Sequence, residues 1–190
     1  MSISAADAVT GLLSTAGARE YLGEPVTVVE HLLQAGWLAR RAAMPPALVA
    51  AALLHDAGHL LEADGPAGLP GAGLMAGSDD DHGARGARWL ARWFGPEVTE
   101  PVRLHVEAKR YLCATEPGYH GLLSEASRHT LSVQGGPMGA AEARRFAASE
   151  HAGPAVAIRR LDEAAKDGVV RSQGIEHFLP LLTALARDGA

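Results

Sequence analysis

Hydrophobic residues recur at three- and four-residue intervals through most of the chain, and Gly or Pro stands at the breaks, the pattern of amphipathic helices and not of strands. The periodicity predicts helices over residues 5–16, 26–42 and 45–60. The third is almost unbroken in its apolar character from Ala50 to Leu54, which places it inside with neighbours on most sides. A Gly/Pro-rich loop over 62–77 follows, then Asp79-Asp80-Asp81, which can cap and charge the start of a helix whose buried face carries Trp89 and Trp93. Further helices fit 96–112, 124–132, 140–149, 153–166 and 175–187, with a turn at Glu116-Pro117-Gly118 and a break at Gln134-Gly135-Gly136-Pro137. Neither an internal repeat nor a separating linker is visible, so the expectation is a single all-α domain.

Composition narrows the function classes. At 190 residues, 47% apolar and 21% charged, the chain is a one-domain length and too apolar to stay disordered. Three Trp, three Tyr and three Phe, with few β-branched runs, disfavour a β-sandwich. A net charge of −5, with Arg and Lys scattered among acids, leaves no footprint for nucleic acid, and none is expected as a partner. Cys113 is the lone cysteine, so a disulfide framework and a thiolate metal cluster within one chain are both excluded. Any metal must be held by His and carboxylates. The chain carries neither an 18-residue apolar run nor a leader-like start, and a cytoplasmic protein without a membrane partner is expected. The sequence does not indicate an oligomeric state.

The histidines supply the chemistry. His55-Asp56 lies in the most apolar helix, where an adjacent His and Asp are costly to bury unless something pairs with them. Taken alone, the doublet reads as a hydrogen-bonded structural pair. His31 on the preceding helix, His82 on the following one and His105 on the next change that reading, because helices of a bundle can aim such side chains at one point. Asp56 would then bridge two metal ions, with His31 and His55 on one, His82 and His105 on the other, and Asp162 completing the first. Spacing leaves iron, manganese and zinc open. His59 and Lys109 lie one turn beyond His55 and His105, where they could hold an anionic substrate. His120, His151 and His177 read as surface or packing residues.

His31, His55-Asp56 and Asp162 resemble the ligand pattern of the HD-domain superfamily. Six further stretches narrow the likeness: Tyr21-Leu-Gly-Glu24-Pro, His55-Asp56-Ala-Gly-His59, His105-Val-Glu-Ala-Lys109-Arg-Tyr-Leu, Leu123-Ser-Glu-Ala-Ser127, Gln134-Gly-Gly-Pro-Met138 and Ile158-Arg159-Arg-Leu-Asp162-Glu. Together they resemble the HD-domain oxygenases that use a mixed-valent di-iron centre, Fe(II)/Fe(III), and O2 to cleave the carbon–phosphorus bond of 1-hydroxyalkylphosphonates. The resemblance implies one HD-domain helical bundle over residues 1–190, with its core at about 21–187. It also implies His31, His55, Asp56 and Asp162 on one iron and Asp56, His82 and His105 on the other. His59, Lys109, Ser127 and Arg159 match phosphonate-holding positions, and Gln134 is expected among the substrate-binding residues. Tyr21 and Glu24 match a mobile pair, the tyrosine covering an iron position until substrate enters and the glutamate facing the substrate's ammonium group. A Gly/Pro-flanked turn before the His31 helix suits such movement. The relatives commonly have an aromatic residue where Leu161 stands.

The expected function is therefore a di-iron oxygenase converting 2-amino- or 2-trimethylammonio-1-hydroxyethylphosphonate into glycine or glycine betaine and phosphate. A metal-dependent phosphohydrolase, which shares the His/Asp set but activates water, is the alternative, and a ligand-binding module on a degenerate HD fold is the third.

Overall fold

The computed structural model describes residues 3–16, 21, 24–61, 81–166, 168 and 172–187. Among them the regular structure is helical: α1 (Ala5–Ala16), α2 (Val28–Arg41), α3 (Pro46–Leu54), α4 (Ala57–Leu61), α5 (His82–Leu90), α6 (Pro96–Thr115), α7 (Tyr119–Leu122), α8 (Glu125–Val133), α9 (Ala140–Ala147), α10 (Ala152–Ala164), a 3-10 turn at Ile175–His177 and α11 (Leu179–Leu185). Among the described residues no helix is long and apolar enough to cross a membrane.

Helix α3 is the centre, as its composition requires. Ala50 to Leu54 are fully buried, and α2, α6, α10 and α11 pack around them. Fully burying a leucine side chain such as Leu53 or Leu54 contributes about 1.5–3 kcal/mol. The same cluster takes in Val28 and Leu32 of α2, Val98 and Val102 of α6, Ile158 of α10, and Phe178 and Leu182 at the C-terminal end. Two smaller clusters extend it along α6. One joins Leu104 and Ala108 to Phe146 and Ala155, and the other joins Leu112 to Tyr119, Leu123 and Leu131.

Several boundaries depart from the periodicity. The third predicted helix is interrupted: α3 ends at Leu54, His55 and Asp56 form a turn, and α4 resumes at Ala57. His55 keeps right-handed helical dihedrals (φ −59°, ψ −36°), and both residues of the turn are buried. Helix α2 begins two residues later than expected because Thr27 and Glu30 form a capping box, each side chain meeting the other's backbone N–H. Asp81 stands at the N-cap of α5 in left-handed conformation (φ 49°) and makes no side-chain capping bond, contrary to the role expected of the acidic run. Asp79 and Asp80, and the predicted 62–77 loop, lie outside the described residues. Trp93 is buried as expected, beyond the end of α5, with its indole N–H donating to the Ile3 carbonyl, whereas Trp89 is only half-buried. The final predicted helix is a 3-10 turn followed by a shorter α-helix.

Helices α4 and α5 touch backbone to backbone. A Cβ on Gly58 would lie 2.0 Å from the His82 carbonyl oxygen, and one on Gly86 would lie 3.0 Å from the Gly58 nitrogen. This approach sets the first turn of α5 against the His55-Asp56 turn. Gly58→Ala should therefore destabilise the fold by about 1–3 kcal/mol through overpacking against main chain, read as a lower denaturation midpoint. An unchanged midpoint would show that the helices can part without cost.

Candidate functional site

The turn after α3 puts Asp56 at the meeting point of five helices. His31 comes from α2, His55 from the end of α3, His82 from the first residue of α5, His105 from α6 and Asp162 from α10, and all are buried. The imidazoles form two facing pairs: His31 Nε2 is 3.1 Å from His55 Nε2, and His82 Nε2 is 3.1 Å from His105 Nε2. The carboxylate of Asp56 divides between them. Its Oδ2 lies 3.8 Å from His31 Nε2 and 3.6 Å from His55 Nε2, and its Oδ1 lies 3.5 Å from His82 Nε2 and 3.2 Å from His105 Nε2. Asp162 Oδ1 faces the first pair, 3.4 Å from His31 and 3.8 Å from His55.

Local hydrogen bonds turn these rings. Nδ1 of His31 meets the Ala165 carbonyl at 3.0 Å, Nδ1 of His55 the Ala52 carbonyl at 2.9 Å, and Nδ1 of His105 the Val102 carbonyl at 2.7 Å. A carbonyl only accepts, so in each case Nδ1 carries the proton and Nε2 presents a lone pair inward. Facing lone pairs, as on His31 and His55 at 3.1 Å, repel unless a cation, a proton or a metal ion, stands between them. Asp162 Oδ1, also buried, accepts no hydrogen bond. Burial alone would push His55 down, yet the charges of Asp56 and Asp162 override it and raise His55 to about 9. The cluster is short of positive charge, and a metal bound by imidazole and carboxylate fits it.

Ligand atoms form two groups suited to an ion, His31 with His55 and Asp162, and Asp56 with His59 and His82. His59 thus reaches the second group, although the sequence places it in substrate binding. Its ring stacks face to face on His82, 3.9 Å between centroids and 20° from parallel.

Above the ligands is a pocket of about 440 Å³, the open solvent at its mouth included. Tyr21, Glu24, His59, Lys109, Ser127, Gln134 and Arg159, all singled out in the sequence, line it. Tyr21 stacks on His31 (4.5 Å, 14°) and donates from Oη to Asp56 Oδ2 at 2.5 Å. Burial and the Asp56 charge hold its phenol well above the usual range, so it is a neutral donor. Lys109 is buried and donates to Thr130 Oγ1 at 2.8 Å. Burial and the Arg159 charge lower its ammonium to about 7. Arg159 is held on all sides by Asp162, Glu163, Ser127 and Tyr119.

Thr130 and Lys166 also line the pocket and were not singled out in the sequence. The spacing of Lys166 from Asp162, four residues along a helix, was an available signal. Cys113 lies away from the ligands, half-buried, with its thiol pushed up by burial.

Asp56 alone addresses both histidine pairs, whereas Asp162 faces only the first. Elemental analysis of purified variants should therefore show metal lost from both positions in Asp56→Ala but from one in Asp162→Ala. Full metal content in Asp56→Ala would exclude the bridging role.

The HD-domain family matches residues 28–146. The chain is 40% identical over 178 residues to a [1-hydroxy-2-(trimethylamino)ethyl]phosphonate dioxygenase (glycine-betaine-forming) of Leisingera caerulea, which covers 92% of this chain and 86% of that protein. It is 41% identical over 150 residues to a hydroxymethylphosphonate dioxygenase of Gimesia maris, 78% and 72% of the two chains. An uncharacterized protein of Acanthamoeba polyphaga mimivirus, L432, is 31% identical over 160 residues, 83% of this chain and 71% of that one. With its histidine and aspartate ligand types on the matched helices and these relatives over most of its length, the chain belongs to the HD-domain family.

Proposed function

We propose that this protein is a di-iron oxygenase that cleaves the carbon–phosphorus bond of a 1-hydroxyalkylphosphonate. The proposed substrates are 2-amino- or 2-trimethylammonio-1-hydroxyethylphosphonate, giving glycine or glycine betaine. The reaction R–CH(OH)–PO3(2−) + O2 → R–COO(−) + HPO4(2−) + H(+) balances with no other reductant. The observation that carries the reading is the pocket, in which buried cationic side chains stand directly over a buried His/Asp cluster. A dianionic head group beside a metal position is what such a pocket suits. Two relatives that cover most of the chain are named as dioxygenases of hydroxyphosphonates.

In this reading His31, His55, Asp56 and Asp162 hold one iron and Asp56, His82 and His105 the other, with His59 left in the pocket wall by its face-to-face stack on His82. Mixed-valent iron there would supply the redox chemistry by which O2 oxidises C1. The protein's own groups bind and orient the substrate. Arg159, fixed by its carboxylates, and Ser127 form a rigid edge for the phosphonate. Lys109, His59 and Gln134 approach it from α6, α4 and the end of α8. The buried carboxamide oxygen of Gln134 has no hydrogen-bond partner among the described residues, so it is available to the substrate's C1 hydroxyl. Tyr21 covers Asp56 Oδ2 and must give up that contact before a substrate can occupy the first position. Glu24 also lines the pocket and is the carboxylate for a cationic substituent.

Two outcomes test this reading. Phosphate release from synthetic 1-hydroxyphosphonates should require oxygen. Equal release without oxygen would instead mark a metal-dependent hydrolase. The second concerns Lys109, which burial and Arg159 bring to about 7. Since only the protonated ammonium attracts the phosphonate, kcat/KM should fall as pH rises through about 7. Removing this charge-assisted contact is worth about 1.5–3 kcal/mol, so Lys109→Ala should lower kcat/KM roughly 10- to 150-fold at unchanged metal content and flatten the alkaline limb. An unaltered pH profile in Lys109→Ala would assign the limb to another group.

A further inference from the structure

Lys166 follows α10 directly and reaches into the same pocket, yet neither the ligand set nor the phosphonate-holding set described above includes it. Its side chain and that of Glu24 are each only 8% exposed. The ammonium donates to Ser127 Oγ at 2.6 Å and to Ser124 Oγ at 3.4 Å, and lies 3.5 Å from Glu24 Oε1, 3.5 Å from Glu163 Oε2 and 3.9 Å from Asp162 Oδ1. Ser124 Oγ in turn donates to Glu24 Oε1 at 2.5 Å. Lys166 therefore stands between Ser127, proposed to hold the phosphonate, and Glu24, proposed to meet the cation.

Resting on the oxygenase reading, we infer that Lys166 is a specificity residue, the internal counter-ion that a cationic 2-substituent must displace from Glu24. The charge of Glu24 is already matched before substrate arrives. An incoming ammonium reaches this carboxylate by exchange, with Lys166 giving up its 3.5 Å approach to Glu24 Oε1 while keeping its hydrogen bond to Ser127 Oγ, beside the proposed phosphonate position. An uncharged substrate leaves the Lys166–Glu24 pair in place. Lys166 thus sets the cost of accepting a positive substituent and, by staying beside the dianion, returns part of that cost. Like charges held at such distances in a buried pocket interact strongly, which makes the exchange a selective step.

The test compares 1-hydroxy-2-trimethylammonioethylphosphonate with hydroxymethylphosphonate on the iron-loaded protein and on Lys166→Met, which keeps the length and removes the charge. The ratio of the two kcat/KM values is read within one preparation, so misfolding or partial iron loading cancels. We expect the ratio to move at least 10-fold toward the cationic substrate, because its ammonium then becomes the counter-ion of a buried, unmatched Glu24. Glu24→Gln should move it in the opposite direction by leaving Lys166 unopposed. Dissociation constants measured without oxygen should shift in the same sense. Ratios within twofold of the wild type in both variants would overturn the inference and leave Lys166 as a structural tie between α10 and the Tyr21–Glu24 turn. Absence of oxygen-dependent phosphate release from the wild type on both compounds would defeat the oxygenase reading itself, whereas the anaerobic binding ratio would still decide the role of Lys166.

Discussion

Two pairs of imidazoles, buried and facing Nε2 to Nε2 around one carboxylate, are the constraint on which the rest of this fold depends. Such an arrangement is unfavourable without a proton or a metal ion among the rings, since each Nε2 has lost water and meets another ring nitrogen at 3.1 Å. A hydrophobic core of the same size would be cheaper to fold. The sequence nevertheless keeps the rings in place from behind, through carbonyls at Ala52, Val102 and Ala165, so that orientation does not depend on the ion. His55 is raised to about 9 by the two carboxylates despite its burial, which expresses the same demand for a cation in terms of protons.

That demand reaches the architecture. Helix α3 gives way to a turn at His55 and Asp56, and both side chains of that turn face the cluster. Gly58 lets the backbone of α5 come close enough to bring His82 beside His59 and near His105. The Ala165 carbonyl, just past the end of α10, both orients His31 and places Lys166 at the pocket rim. A single strand of chain thus links the metal ligands to the residue that meets Glu24. Displacing the end of α10 would disturb both.

Residue types and spacing made the helices, the central position of α3 and the convergence of His31, His55, Asp56, His82, His105 and Asp162 legible in the sequence. Local chemistry that competes with periodicity was less visible. The Thr27–Glu30 box moved the start of α2, and its Thr-x-x-Glu spacing was readable without a structure. The break at His55-Asp56 was not, since nothing in an apolar run says which turn must open. Asp81 shows the converse failure, a strong cap former in position whose side chain makes no cap. Thr130 and Lys166 were missed for a common reason: each enters the pocket through a tertiary contact, Thr130 with Lys109 across 21 residues and Lys166 with Glu24 from the far end of the chain.

The pocket divides its positive charge between fixed and responsive groups. Arg159 is enclosed by Asp162, Glu163, Ser127 and Tyr119, and the two carboxylates hold its guanidinium well above the ordinary range, so it stays charged and stationary. Lys109 has one hydroxyl partner and an ammonium lowered to about 7, so of the two its charge is the one that can respond to its surroundings. A wholly fixed set of cations would repel itself in the empty pocket, and a wholly titratable one would fail to orient an anion. With Arg159 matched by its two carboxylates, Lys166 by Glu24, Glu163 and Asp162, and Lys109 near its midpoint, the pocket holds little unmatched positive charge, and what an anion could call up sits on Lys109, beside the His/Asp cluster.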